Sequence, residues 1–206
     1  MIRSPTARLF AAVDPPATVR GALSYWARSA ARAAEGRSRP STALRVLEPE
    51  LLHVTLCFLG NRPVGEMDAL AGQLSACEGA AGELSLGAPL WLPTRHPRAL
   101  AVELHDESGA LACLQAEVMA ALKQVSGWQP GADERGRRDA SPARRRFYPH
   151  VTVARMGRTV TRNERKLPPT PALSFVPEEL VLYRSWLSPE GARYEAVASH
   201  PIGATH

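Results

Sequence analysis

The chain contains the tetrapeptide pattern His-Xaa-Thr-Xaa twice, and each copy lies inside a run of β-branched and apolar residues. The copies run from His53 to Leu56 and from His150 to Val153, so the histidines are 150 − 53 = 97 positions apart. Because side chains alternate between the two faces of a strand, the histidine and the threonine of each copy share one face. The fold must therefore accommodate two strands that each present an imidazole beside a hydroxyl.

The duplication carries more information than either copy alone. A single His-Val-Thr on a strand is common, and its histidine is usually structural. Two copies that agree at three of four positions predict two related half-domains that meet at one cleft. An unperturbed imidazole has a pKa of about 6.5, so it can accept or donate a proton near neutral pH. Two imidazoles facing each other suit chemistry at phosphorus.

Length and composition favour one globular unit. The 206 residues, 45% of them hydrophobic and 22% charged, are enough for a single domain or for two small lobes that share a core. There is no run of about 20 apolar residues, and the first residues lack the apolar segment of a secretory signal. We therefore expect a cytoplasmic protein that does not span a membrane.

The cysteine pattern argues against a disulfide framework or a zinc knuckle. The three cysteines are odd in number, widely spaced and free of any Cys-Xaa-Xaa-Cys motif: Cys57, Cys77 and Cys113. Strict strand alternation places Cys57 on the face of His53 and Thr55. The simpler interpretation of Cys57 is a small apolar residue that fills space.

The basic charge favours polyanionic partners. The formal net charge is +5 and the pI is near 9.6, which attracts phosphates at long range. The densest basic cluster lies in residues 129–146, immediately before the second motif. We expect this arginine-rich segment to be a flexible loop insert, and an arm that grips the substrate is the open alternative.

The apolar patterning predicts a mixture of strands and helices. Strands are expected over residues 8–13, 43–47, 51–59, 84–92, 100–104, 147–155, 179–186 and 193–198. Helices are expected after Asp14-Pro15-Pro16 and over residues 64–78 and 108–125. Several strands follow one another as hairpins without strict βαβ alternation, which indicates an α+β fold with mainly antiparallel pairing.

An ordered set of segments resembles one known group of enzymes. The segments are Arg8-Leu9-Phe10-Ala11-Ala12-Val13-Asp14, Leu52 to Gly60, Pro149 to Arg155, Leu182-Tyr183-Arg184-Ser185 and Gly191-Ala192-Arg193-Tyr194. This set resembles the two-histidine phosphoesterases, and among them the bacterial RNA 2′,3′-cyclic phosphodiesterases, also called 2′-5′ RNA ligases. The resemblance implies a single bilobal domain over residues 1–206. Each lobe would be a mainly antiparallel sheet backed by helices, with a central groove between the lobes.

The resemblance also implies an activity and a set of roles. It implies hydrolysis of a terminal 2′,3′-cyclic phosphate of RNA to a 2′-phosphomonoester, with ATP-independent 2′-5′ ligation as a side activity. The expected substrates are RNA ends or 2′,3′-cyclic nucleotides, and the expected protein is a monomer that uses no metal and no cofactor. His53 would be the proton donor and His150 the proton acceptor.

Three further residues are expected to bind the phosphate. By the same resemblance, Thr55 and Thr152 would donate hydrogen bonds to its non-bridging oxygens. Arg155 would supply a cation, although strict alternation puts it on the face opposite His150 unless the strand bulges or ends there. Phe10 and Tyr148 can stack on a nucleobase, but core packing is the simpler interpretation of both.

Other functions remain open at this point. A non-catalytic RNA-binding module would explain the charge but not the duplicated histidines. A two-histidine phosphodiesterase acting on another small cyclic phosphate would explain both. A metal hydrolase would draw on the six histidines, His53, His96, His105, His150, His200 and His206, yet no His-Glu-Xaa-Xaa-His or aspartate-rich motif accompanies them.

Overall fold

A computed structural model describes residues 5–35, 44–126, 147–156, 167–188 and 191–202 of the chain. Its helices are α1 (Ala17–Glu35), α2 (Met67–Ser75) and α3 (Ala110–Ser126), with short 3-10 turns at Pro49–Leu51 and Val64–Glu66. Its strands are β1 (Thr6–Val13), β2 (Leu44–Val46), β3 (Val54–Pro63), β4 (Leu84–Leu92), β5 (Ala99–His105), β6 (His150–Met156), β7 (Ser174–Phe175), β8 (Glu179–Ser188) and β9 (Gly191–Pro201). The arginine-rich segment predicted over residues 129–146 lies outside the described residues.

The strands of the described residues form one antiparallel sheet in the order β7-β4-β5-β6-β3-β1-β8-β9, with β2 paired to β6. We call β3-β1-β8-β9 the first half and β6-β5-β4-β7 the second half. Between the two halves, the described residues contain one paired position, Val54 with Val151. The motif strands β3 and β6 are thus neighbours at the centre, and the α+β fold with mainly antiparallel pairing is confirmed.

The core lies on one face of this sheet, under the helices. The predicted apolar stripe of α1 is buried, as the exposed fractions of Val19, Leu23, Trp26 and Ala30 all lie at or below 6%. Alternate residues of β1 enter the same core cluster: Leu9, Ala11 and Val13. Each fully buried leucine contributes about 1.5–3 kcal/mol of transfer free energy, so this face is fixed strongly by the sequence pattern. The other residues of β1 and of the motif strands are left to face the opposite side, which we call the open face.

Several boundaries differ from the prediction. Gly60 to Pro63, expected to close the first motif strand, belong to β3, which begins at Val54; Pro49–Leu51 form a 3-10 turn, and His53 lies between that turn and the strand. The helix expected over 64–78 is shorter, because Val64–Glu66 also forms a 3-10 turn. The short strand β7 carries no periodic signal and was not predicted. None of the helices in the described ranges is long and apolar enough to cross a membrane.

Candidate active site

The two motifs place their polar side chains on one face. Val54 and Val151 face each other across the antiparallel pair, and both are fully buried. The neighbouring polar residues therefore point to the open face: His53, Thr55, His150 and Thr152. Extending this register by one residue in each direction places His53 across from Thr152 and His150 across from Thr55. The two histidines are then diagonal neighbours, a relationship that separates residues by roughly 7–8 Å in an antiparallel sheet.

The two imidazoles are held in the same way. His53 Nδ1 lies 2.8 Å from the carbonyl oxygen of Leu51, and His150 Nδ1 lies 2.8 Å from that of Tyr148. A carbonyl oxygen only accepts hydrogen bonds, so Nδ1 is the donor in both contacts. Nε2 is therefore the basic atom of each neutral imidazole and the acidic N–H of each imidazolium. The anchoring carbonyl comes from the residue two positions before the histidine in both halves.

An aromatic shell surrounds His53. Its ring centroid lies 4.8 Å from that of Phe10 and 5.1 Å from that of Tyr194, which meets it edge on. Burial lowers the pKa of His53 to about 4; the hydrogen bond to Leu51 opposes this shift, and the charge of Arg155 reinforces it. At neutral pH His53 is therefore uncharged in the free protein.

A β-bulge brings Arg155 to the open face. Across β5, His150 pairs with Glu103 and Thr152 with Ala101, but Arg155 pairs with Ala99. β6 thus has one more residue than β5 between these positions, and the alternation of its side chains shifts by one. Strict alternation had put Arg155 on the face opposite His150; the bulge returns it to the same face.

A second bulge occupies the matching place in the first half. Thr55 pairs with Ala12 of β1, but Cys57 pairs with Ala11, so Leu56 is the additional residue. Cys57 consequently turns into the core, where burial raises the pKa of its thiol to about 12. The prediction that Cys57 shares the face of His53 is wrong, and the interpretation as an apolar filler fits its place. Phe58 takes the open-face position and is 62% exposed.

The carbonyl group of each bulged residue accepts a hydrogen bond from outside the paired strands. Gln115 of α3 donates its Nε2–H to the Leu56 oxygen at 3.3 Å. The Leu47 backbone N–H donates to the Val153 oxygen at 2.9 Å. A bulge leaves a ladder group without its regular partner, and these contacts satisfy it.

Solved structures of other proteins share this arrangement of strands and helices. No family model matches the chain, and no curated protein matches it by sequence. TT0787 of Thermus thermophilus is 27% identical with a TM-score of 0.69, over 97% of this chain and 100% of that one. Escherichia coli LigT, solved with 3′-AMP, is 22% identical with a TM-score of 0.69, over 97% and 100%. A protein described as a phosphoesterase is 24% identical with a TM-score of 0.67, over 96% and 99%.

The chain has the fold of the LigT-like two-histidine phosphoesterases. The fold implied by the resemblance of the two motifs is thereby confirmed. LigT itself has also been crystallised with phosphate, ATP and NADP+.

Phe10 and Tyr148, two aromatic residues considered for stacking on a nucleobase, differ in their exposure to solvent. Phe10 is only 3% exposed and packs beneath His53, as the core-packing interpretation expected. Tyr148 is 48% exposed, so core packing is wrong for it. Its hydroxyl donates to the Glu103 carboxylate, and this hydrogen bond raises the pKa of Tyr148.

Tyr183 links the aromatic shell to Asp14 through a hydrogen bond and a ring contact. The Tyr183 hydroxyl donates to Asp14 Oδ2 at 2.6 Å, and the Tyr183 ring stacks on Phe10 at 5.1 Å. Burial raises the pKa of Asp14, and the hydrogen bond from Tyr183 opposes that rise. Within the described ranges, no group of three or more His, Cys, Asp or Glu side chains is placed to hold a metal ion.

Proposed function

We propose that the protein is an RNA 2′,3′-cyclic phosphodiesterase, a phosphoric diester hydrolase that opens a terminal 2′,3′-cyclic phosphate to a 2′-phosphomonoester. The observation that carries this proposal is the pair of diagonal imidazoles, each anchored through Nδ1 so that Nε2 remains for proton transfer. The nucleotides bound to LigT support a nucleotide substrate for this chain. An enzyme of this kind acts in RNA processing.

Opening the ring requires two proton transfers on opposite sides of phosphorus. His150 Nε2 accepts a proton from water, the resulting hydroxide bonds to phosphorus, and the bond from phosphorus to the 3′-oxygen breaks. His53 Nε2 donates its proton to that oxygen, which leaves a 3′-hydroxyl and a 2′-phosphate. Each positioned transfer contributes about 10²- to 10⁴-fold to the rate. The same sequence, with a 5′-hydroxyl in place of water as the nucleophile, is ATP-independent 2′-5′ ligation as a side activity.

The charge that builds on the non-bridging oxygens needs donors. Thr55 and Thr152 lie beside the imidazoles on the open face and donate their hydroxyl protons to these oxygens. Arg155 adds a full positive charge from the same face. Its neighbours on β5, Ala99 and Ala101, have short, uncharged side chains.

His53 takes up its proton from solvent when the substrate binds. With a pKa of about 4, His53 is neutral in the free protein at neutral pH. A phosphate anion beside the ring favours the imidazolium and raises that pKa. Substrate binding thus charges the general acid that the next step consumes. Assignment of donor to His53 and acceptor to His150 follows the resemblance.

Product analysis is the decisive experiment. The wild-type protein is incubated with adenosine 2′,3′-cyclic phosphate, and the products are separated as 2′-AMP and 3′-AMP. We expect only 2′-AMP from wild type, no turnover by His53→Ala or His150→Ala, and unchanged activity in EDTA. A 3′-phosphate product would exclude the proposed bond cleavage, and inhibition by EDTA would favour a metal hydrolase.

Two alternatives give different results in the same assay. A non-catalytic RNA-binding module would show no turnover by any of the three proteins, with equal RNA affinity. A phosphodiesterase for a small cyclic phosphate without a base would hydrolyse 1,2-cyclic glycerophosphate as fast as the nucleotide. The exposed ring of Phe58 favours the nucleotide, since an aromatic side chain at a binding surface contributes about 1–3 kcal/mol per stacked base.

A further inference from the structure

A cavity of about 270 Å³ lies in the first half, at the end of β1 remote from the histidines. Its lining includes Arg8, Asn61, Arg184, Ser185 and Trp186. None of the described residues that line it is acidic. This volume is slightly below the range of about 300–1,000 Å³ for pockets that enclose whole small molecules. A basic cavity of this size suits a single anionic group.

The strand register connects this cavity to the candidate active site. Arg8 pairs with Asn61 on one side and with Ser185 on the other, so the three residues form one row across the sheet. Arg8 shares the open face with Phe10 and Ala12, because alternate residues of β1 are buried in the core.

Three successive open-face rows along β1 lead from the first motif to the cavity. Ala12 pairs with Thr55 of the first motif, Phe10 pairs with Phe58, and Arg8 belongs to the cavity. At about 3.4 Å per residue, Arg8 lies roughly 7 Å beyond Phe10 and roughly 14 Å beyond Ala12. A phosphate site, an aromatic platform and a basic cavity thus follow in sequence on one surface.

We propose that this cavity binds a phosphodiester group of the RNA strand upstream of the cyclic end. The proposal rests on the proposed function and names its substrate as an oligonucleotide with a stacked terminal base. A basic track with an interposed aromatic ring is how proteins follow single strands without reading their sequence. The terminal base stacks on Phe58, and the strand continues over the first half toward Arg8.

Two features of the cavity fit a phosphate. The Ser185 hydroxyl lies 3.4 Å from the Arg8 carbonyl oxygen and is available to exchange this weak contact for a stronger acceptor. The Arg184 guanidinium lies 4.6 Å from the centre of the Trp186 ring, which holds the cation at the cavity wall. Arg8 shares its row with Asn61 and Ser185, so it is the cation that we assign to the ligand.

The test compares substrates of different length. For wild type we expect kcat/KM on a trinucleotide ending in a 2′,3′-cyclic phosphate to exceed that on the matching mononucleotide by roughly tenfold, the effect of one charge-assisted contact. Arg8→Gln should lose this advantage and keep the mononucleotide activity. Asn61→Asp, a nearly isosteric change at an exposed position, should lose it as well by repelling the phosphate. Arg28→Gln on α1 removes the same charge outside the cavity and should retain both activities.

A second readout uses salt. Binding of the trinucleotide 2′-phosphate product should weaken with salt, and Arg8→Gln should reduce the slope of log K against log salt by about 0.7, as expected for one lost contact to a single strand.

Three results would overturn the proposal. Equal kcat/KM of wild type on both substrates would do so and leave the proposed function intact. An equal fall in kcat/KM on both substrates in Arg8→Gln would also overturn it. So would the wild-type preference for the trinucleotide in both Arg8→Gln and Asn61→Asp. Absence of turnover on either substrate would remove the proposed function together with the inference.

Discussion

Phe58 and Arg155 occupy equivalent positions in the two halves of the molecule. Each follows its motif histidine by five residues, 58 − 53 and 155 − 150, and each reaches the open face because a bulge follows the motif threonine. The halves therefore repeat one backbone design with different chemistry at its end. An aromatic ring stands on one side of the imidazole pair, and a guanidinium stands on the other.

The aromatic side should govern the recognition of nucleosides. We predict that Phe58→Ala lowers kcat/KM on adenosine 2′,3′-cyclic phosphate roughly tenfold or more, since about 1–3 kcal/mol of stacking is lost. The loss should appear mainly in KM. Phe58→Tyr keeps the ring and should retain activity. Steady-state kinetics on 1,2-cyclic glycerophosphate provide the control, because a substrate without a base should not distinguish the variants.

The cationic side should govern catalysis. Arg155→Met is expected to lower kcat/KM by about 10²- to 10³-fold, the usual effect of removing one donor to a developing anion. The same change should raise the pKa of His53, because the charge of Arg155 contributes to its depression. NMR titration of the His53 ring measures this directly. An unchanged His53 pKa would contradict the placement of Arg155 beside the imidazole.

The bulges also explain what the sequence could and could not predict. Hydrophobic periodicity was enough to locate β1, α1 and the central part of both motif strands, because burial of alternate residues fixes the faces of strands. Alternation places His53 and Thr55 together without further information. It fails beyond each threonine, where one additional residue reverses the parity of Cys57 and Arg155. Nothing in the local sequence marks these bulges, since Leu56 and Val153 are ordinary strand residues whose carbonyl groups are satisfied by distant partners.

Burial of a neutral His53 should make the fold sensitive to acid. The pKa of His53 is about 4 when folded and 6.5 in its ordinary state, so unfolding takes up a proton between these values. The contribution of His53 to stability is complete above pH 6.5 and is lost as the pH falls through 4, by up to about 3 kcal/mol. Urea unfolding at several pH values should show this slope in wild type and a shallower one in His53→Gln. His105→Gln, at an exposed position of β5, should retain the wild-type slope.

The same pKa makes a kinetic prediction. Catalysis needs one imidazole protonated and the other neutral, so kcat/KM, which reports the free enzyme, should fall on the acid side as the pH drops through about 4, the pKa of His53. Adding inorganic phosphate should displace the His53 titration upward in NMR spectra. A kcat/KM that stays constant on the acid side through pH 4 would contradict a role of His53 in proton transfer.

The contact of Gln115 with the Leu56 carbonyl should matter for positioning and not for binding. Gln115→Leu leaves a bulge carbonyl without its donor, which costs about 1–3 kcal/mol if the group stays buried. If β3 shifts so that this carbonyl finds another partner, His53 and Thr55 move away from the phosphate. Small displacements of reacting groups lower kcat steeply. We therefore expect kcat to fall while KM changes little. Gln124→Leu, at an exposed position of the same helix, is the matched control and should leave both constants unchanged. Equal behaviour of the two variants would show that the Leu56 bulge is held by the sheet alone.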